Sequence, residues 1–181
     1  MLSFGANLDV TEYDVEAIRV PLFASTIASI LWNDMYSWPK EADEYQKDPG
    51  AYPINAIGAL MKEYSVDSEE GLRICQRKIL QFEMKCLKST EELLSKDDHQ
   101  LSPSGRDMVR CCPLFASGNA LWSCTSDRFQ TVELPEYDVL HRVLSAELPC
   151  VELDKEFEEG FAGVFQACRE IEDKCWERSE A

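Results

Sequence analysis

The chain has 181 residues, of which 45% are hydrophobic and 29% charged. That is the length of one domain, with a second barely possible, and enough apolar side chain for a buried core. Thirty-four acids against 18 bases give a formal charge of -16, a surface that repels phosphate backbones and anionic lipid, so nucleic acid and membranes are poor partners.

Taken in chain order, the pattern predicts an all-α chain with no alternating strand and no internal repeat. Thr11 to Ile18 reads as a short helix with Thr11 as N-cap and acids in its first turn. Pro21 suits a first helical position, and a long helix then runs to about Lys47, ended by Asp48-Pro49-Gly50. Pro53 restarts the chain, and Ile54 to Tyr64 is the next helix. Asp67 with Glu70 makes a capping-box-like start for another, reaching about Lys96. Lys96 to Gly105 is a polar loop. A helix opening at or just after Pro103 extends to about Asp127, with a kink expected at Pro113. Leu134 to Leu148 predicts a shorter helix. In the last segment Leu153, Phe157, Phe161, Val164, Cys168, Ile171 and Cys175 fall at steps of four and three, one apolar helical face. That face packs on its own domain or docks onto a partner helix.

The eight cysteines do not form a disulfide framework in this reading. Met1-Leu2-Ser3-Phe4-Gly5 has neither the basic nor the apolar part of a signal peptide, so none is expected. Without a CxxC pair, and with His99 and His141 as the only histidines, a structural zinc site is not expected. The apolar run from Val20 to Trp32 is too short to span a bilayer. The expectation is a soluble cytoplasmic chain with buried, reduced thiols.

Chemistry concentrates in Asn33-Asp34-Met35-Tyr36-Ser37-Trp38-Pro39-Lys40-Glu41. Asn33, Ser37 and Glu41 lie at i, i+4 and i+8, so an amide oxygen, a hydroxyl and a carboxylate share one helical stripe, and Lys40 at i+7 joins them. Three hard oxygens with one formal charge hold Mg²⁺ poorly alone, but well when a substrate phosphate supplies further ligands. Polar groups on a helix whose earlier part is so apolar need partners. Asp97-Asp98 lies in the polar loop without a third acid and reads as a solvated turn.

The stripe resembles the second metal-binding motif of class I terpene cyclases, Asn-Asp-x-x-Ser-x-x-x-Glu. The wider stretch from Trp32 to Tyr45 is similar to the fungal di- and sesterterpene cyclases of the fusicoccadiene and ophiobolin type. A second match follows in order: the run from Gly118 to Phe129 is similar to the family's late helix ending in Arg-Tyr. Asn55 to Lys88 is similar to the family as well, so the resemblance covers roughly residues 5 to 129.

The resemblance implies a partial class I terpenoid-synthase helical bundle over residues 1–149, the carboxyl-terminal portion of a cyclase domain, with an amphipathic helix over 150–181. It implies Mg²⁺ on Asn33, Ser37 and Glu41, and diphosphate on Lys40 and Arg128, whose guanidinium fork can hold two phosphate oxygens. Phe115, Asn119 and Trp122, at i, i+4 and i+7, and Phe129 would line the cavity that shields the carbocation. The implied substrate is a long prenyl diphosphate, geranylgeranyl or farnesylgeranyl diphosphate. Three departures stand out: Phe129 replaces the family's Tyr, and neither the aspartate-rich motif nor the diphosphate-sensing arginine occurs before Asn33. These residues alone are therefore expected to be inactive, and the alternatives are half of a split cyclase, completed by an amino-terminal half or an oligomer, or a non-catalytic helical interaction protein.

Overall fold

Residues 8–47, 55–95, 101–126, 155–163 and 165–166 are described by a computed structural model, and every structural statement below concerns them. All regular structure among them is helical, as the sequence pattern predicts. The chain divides into two units, Met1–Val151 and Glu152–Ala181.

The first unit begins with α1 (Glu12–Ala17), α2 (Arg19–Lys47) and α3 (Ala56–Tyr64), followed by α4 (Ser68–Ser95) and α5 (Pro103–Thr125). Thr11 caps α1 with a complete capping box: Asp14 N–H donates to Thr11 Oγ1 at 3.1 Å, and Thr11 N–H donates back to Asp14 Oδ2 at 2.9 Å. One residue, Ile18, separates α1 from α2. Pro21 explains the break, because it has no N–H to offer the carbonyl of Ala17. The second helix therefore starts at Arg19, two residues before the proline expected to open it, and Pro21 occupies a first-turn position where no helical donor is needed.

At the start of α3, Asn55 is the N-cap, so the helix begins at Ala56 rather than Ile54. It ends in a left-handed residue, Ser65 (φ 54°), whose N–H returns to the carbonyl of Met61. The capping box expected at α4 is half made: Asp67 Oδ1 accepts from Glu70 N–H at 2.9 Å, while the Glu70 carboxylate turns to Arg73 and Arg77. Helix α5 opens with Ser102 as N-cap and Pro103 in its first turn, and it continues through Pro113.

Helix α2 is the centre of the unit and packs against α4 and α5, with α3 laid against α4. The larger core joins Leu31, Trp32, Tyr36 and Trp38 of α2 to Ile57, Leu60, Ile74, Cys75, Ile79 and Ala120. Trp32 stacks on Tyr36 with centroids 5.7 Å apart, and its indole N–H donates to Glu83 Oε1 at 2.8 Å. Trp38 donates likewise to Ser68 Oγ at 2.7 Å. A smaller cluster gathers Ile18, Met108 and Val109.

Beside that cluster, Asp14 is 1% exposed and reaches α5. It accepts from Ser102 N–H and Ser102 Oγ, both at 2.8 Å, so one carboxylate serves two helix N-termini. Burial alone would raise its pKa, but the bonds from Thr11 and Ser102 outweigh burial and lower it from 3.8 to about 2. The closeness of the helices explains Gly105: a Cβ there would collide with Asp14 Oδ1 and stand 2.6 Å from its Cγ.

Cys75, Cys86, Cys111 and Cys112 are free thiols. Burial pushes the thiol of Cys75 up to about 12, that of Cys86 to about 11 and that of Cys112 to about 12. In the second unit a helix covers residues 155–163, where Phe157 and Phe161 lie 6.1 Å apart on one face, and Phe161 stacks on Phe165 at 5.9 Å. The Leu134 to Leu148 helix, the Asp97-Asp98 turn and Leu153, Val164, Cys168, Ile171 and Cys175 of the apolar stripe lie outside the described residues.

Candidate metal-binding face

The middle of α2 carries the polar stripe, and Pro39 sits inside it. A proline there denies the carbonyl of Met35 its helical donor. Around this point the polar groups find partners in α3. Asn55, 4% exposed, turns its Nδ2 toward Asp34 O at 2.8 Å, Glu41 Oε2 at 2.9 Å and Ser37 Oγ at 3.2 Å. The orientation of this amide is fixed, because Asn55 Oδ1 accepts from Ile57 N–H at 2.9 Å as the cap of α3. The next donor, Ala56 N–H, reaches Asp34 Oδ2 at 2.8 Å.

Ser37 and Asn33 bond neighbours on the same helix. Ser37 Oγ donates to the carbonyl of Asp34 at 3.2 Å. The Asn33 side chain hydrogen-bonds Asp34. Burial raises the Asp34 pKa, and the nearby Glu41 charge adds to that, while the bonds from Ala56 and Asn33 oppose it. With their N–H and O–H groups spent on neighbours, Asn33 Oδ1, Ser37 Oγ and the second oxygen of Glu41 keep lone pairs. This oxygen set suits a hard divalent cation that draws part of its shell from elsewhere. Among the described residues no three His, Cys, Asp or Glu side chains form a metal cluster, so a metal here relies on the amide and the hydroxyl.

Of the residues singled out by sequence, Ser37 and Glu41 are brought together through Asn55, Asn33 lies on Asp34, and Lys40 is solvent-exposed. Asn119 reaches across from α5, its Nδ2 donating to the carbonyl of Ser29 in α2 at 2.8 Å. On the same helix Phe115 is 37% and Trp122 52% exposed. Arg128 and Phe129 lie outside the described residues. Sequence reading assigned no role to Asn55 or Asp34. The available signal was the one that marks a cap, an Asn just before an apolar helical run.

Comparison with known proteins bears on this face directly. Residues 1–84, which include the whole stripe and Asn55, match the family described as terpene synthase family 2, C-terminal metal binding. The chain is 30% identical over 129 residues to fusicoccadiene synthase of Phomopsis amygdali, a match covering 71% of this chain and 18% of that protein. It is 30% identical over 131 residues to a bifunctional sesterterpene synthase of Talaromyces wortmannii, covering 71% and 17%. With colleterpenol synthase of Colletotrichum gloeosporioides it shares 28% identity over 130 residues, covering 71% and 17%. The chain thus spans less than a fifth of the length of these curated relatives. By the match over residues 1–84 and by these relatives, the chain belongs to the terpene synthase family.

Proposed function

We propose that this chain supplies the Asn-Ser-Glu side of a Mg²⁺-dependent class I cyclase site that ionises and cyclises a long prenyl diphosphate. The observation that carries the reading is the convergence of Ser37 and Glu41 on one buried amide, within the segment that matches a metal-binding family. Asn33, Ser37 and Glu41 would hold the metal. Bound there, Mg²⁺ supplies Lewis acidity to the departing diphosphate. Lys40 and Arg128 would bind diphosphate oxygens, and as cations they favour the separated ion pair over the intact ester. Phe115, Asn119, Trp122 and Phe129 would face the prenyl chain, the aromatic rings excluding water and stabilising positive charge. Geranylgeranyl and farnesylgeranyl diphosphate are the substrates to test, and the free thiols suit a reducing, cytoplasmic setting.

These 181 residues carry one side of the clamp, and the reading assigns them no turnover alone. Leu114 at 68% exposed and Leu121 at 53%, with Phe115 and Trp122 beside them on α5, favour a companion segment over this helix. Half of a split cyclase fits that exposure, and so does a non-catalytic interaction protein. The test incubates the purified chain with each diphosphate and Mg²⁺, alone and with the amino-terminal part of a related cyclase. Hydrocarbon from the mixture, lost in Glu41→Ala, is the expected result. Product from the chain alone would overturn the half-site reading. No product in either case would favour the interaction protein.

A further inference from the structure

We infer that Asn55 is the positioning residue of the metal-binding face, coupling the amino end of α3 to the ligand geometry of α2; the inference rests on the reading above. Its side chain does two things at once. Oδ1 caps α3 through Ile57 N–H, which obliges Nδ2 to face the stripe. Nδ2 then spans Asp34 O, Ser37 Oγ and Glu41 Oε2, a main-chain group and two of the three oxygen ligands. Ala56 N–H, held on Asp34 Oδ2, prevents α3 from sliding along the stripe.

Glu41 has most need of this. It follows Pro39 by two residues, on a turn that has lost a main-chain bond, and its side chain has several rotatable bonds. Among the described residues, Asn55 is its hydrogen-bond partner. A carboxylate held through one oxygen presents the other in a fixed direction, which is how outer partners raise the affinity of a metal ligand. The same amide lies beside Ser37: its two hydrogens meet the nearer Asp34 O and Glu41 Oε2, and at 3.2 Å Ser37 Oγ shares one of them while donating to Asp34 O.

The test uses the 181-residue chain and Mg²⁺ with inorganic diphosphate as the probe. Asn55→Ser keeps an N-cap oxygen for α3 but is too short to reach Glu41. It is expected to melt close to the parent chain yet bind the probe at least ~10-fold more weakly by calorimetry. Glu41→Gln serves as the ligand control and is expected to lose binding. If Glu41→Gln loses binding and Asn55→Ser does not, the positioning role is overturned while the metal reading stands. If the parent chain fails to bind, the metal reading falls, and the inference with it. An NMR readout independent of any Asn55 variant completes the test. With side-chain amides labelled with ¹⁵N, the Asn55 amide pair is expected to shift when the probe is added to the parent chain and to stay fixed in Glu41→Gln. An unmoved Asn55 amide in a chain that binds the probe would overturn the inference.

Discussion

Replacing Asp14 with asparagine removes one charge from a carboxylate that, among the described residues, meets four donors, two from Thr11 and two from Ser102. Its pKa of about 2 in the fold lies below the ordinary 3.8. A depressed carboxylate stabilises the fold above its unfolded pKa and loses that contribution as pH falls through the folded value. The difference of about 1.8 units corresponds to ~2.4 kcal/mol at neutral pH, at ~1.36 kcal/mol per unit. By linkage, ~1.1 kcal/mol of it is gone by pH 3. The substituted side chain would also turn an amide N–H₂ toward groups that donate, adding ~1 kcal/mol or more that does not titrate. Urea unfolding of the parent chain and Asp14→Asn at pH 6 and pH 3 separates the two parts. The expected gap is ~3 kcal/mol at pH 6, closing by ~1 kcal/mol at pH 3. A gap that stays constant between the two pH values would show that the four bonds do not favour the ionised form.

Gly105→Ala is expected to destabilise by ~2–4 kcal/mol despite alanine's higher helix propensity, because the new methyl displaces the Asp14 carboxylate. Urea midpoints report the loss, and the same substitution in an Asp14→Ala background should cost far less. Trp32→Phe removes the donor to Glu83 and is expected to cost ~2–4 kcal/mol. Burial raises the Glu83 pKa and the Trp32 bond lowers it, so the variant's carboxyl rises further, and its deficit should shrink as pH is lowered from 7 to 5. A deficit that does not change with pH would rule out that linkage. Alkylation at pH 8 followed by peptide mapping should leave Cys75, Cys86 and Cys112 unmodified in the folded chain and label them in urea, since burial keeps them protonated.

Helix existence was legible in the sequence wherever a cap and an apolar period agreed. Thr11, Ser102-Pro103 and the Asp67 start all sit where the residue types place them. The errors were at starts. Pro21 marked the helix but not its first residue, because a proline is tolerated anywhere in the first turn. The stripe of Asn33, Ser37 and Glu41 was legible because a helix fixes spacing. Its partner was not, since periodicity within α2 carries no information about which side chain of α3 faces it. The role of Asp34 is silent in the sequence for a related reason: its bond runs across the α2–α3 connection, to Ala56 N–H. The apolar residues of α5 illustrate a further limit, because pattern alone does not say whether an apolar face is covered.

The range of the connections orders the assembly of the unit. Asn55 lies 14, 18 and 21 residues from Glu41, Ser37 and Asp34, whereas Asp14 to Ser102 and Asn119 to Ser29 span 88 and 90. Closing the longer loops costs ~1.5 kcal/mol more entropy than closing the shortest, by the logarithmic dependence on length. The α2–α3 corner can therefore nucleate while α5 is still undocked, and the two long-range ties close late. Their removal would quicken unfolding and leave the folding rate nearly unchanged. The oxygen-bearing face thus rests on shorter-range ties than the α5 flank beside it.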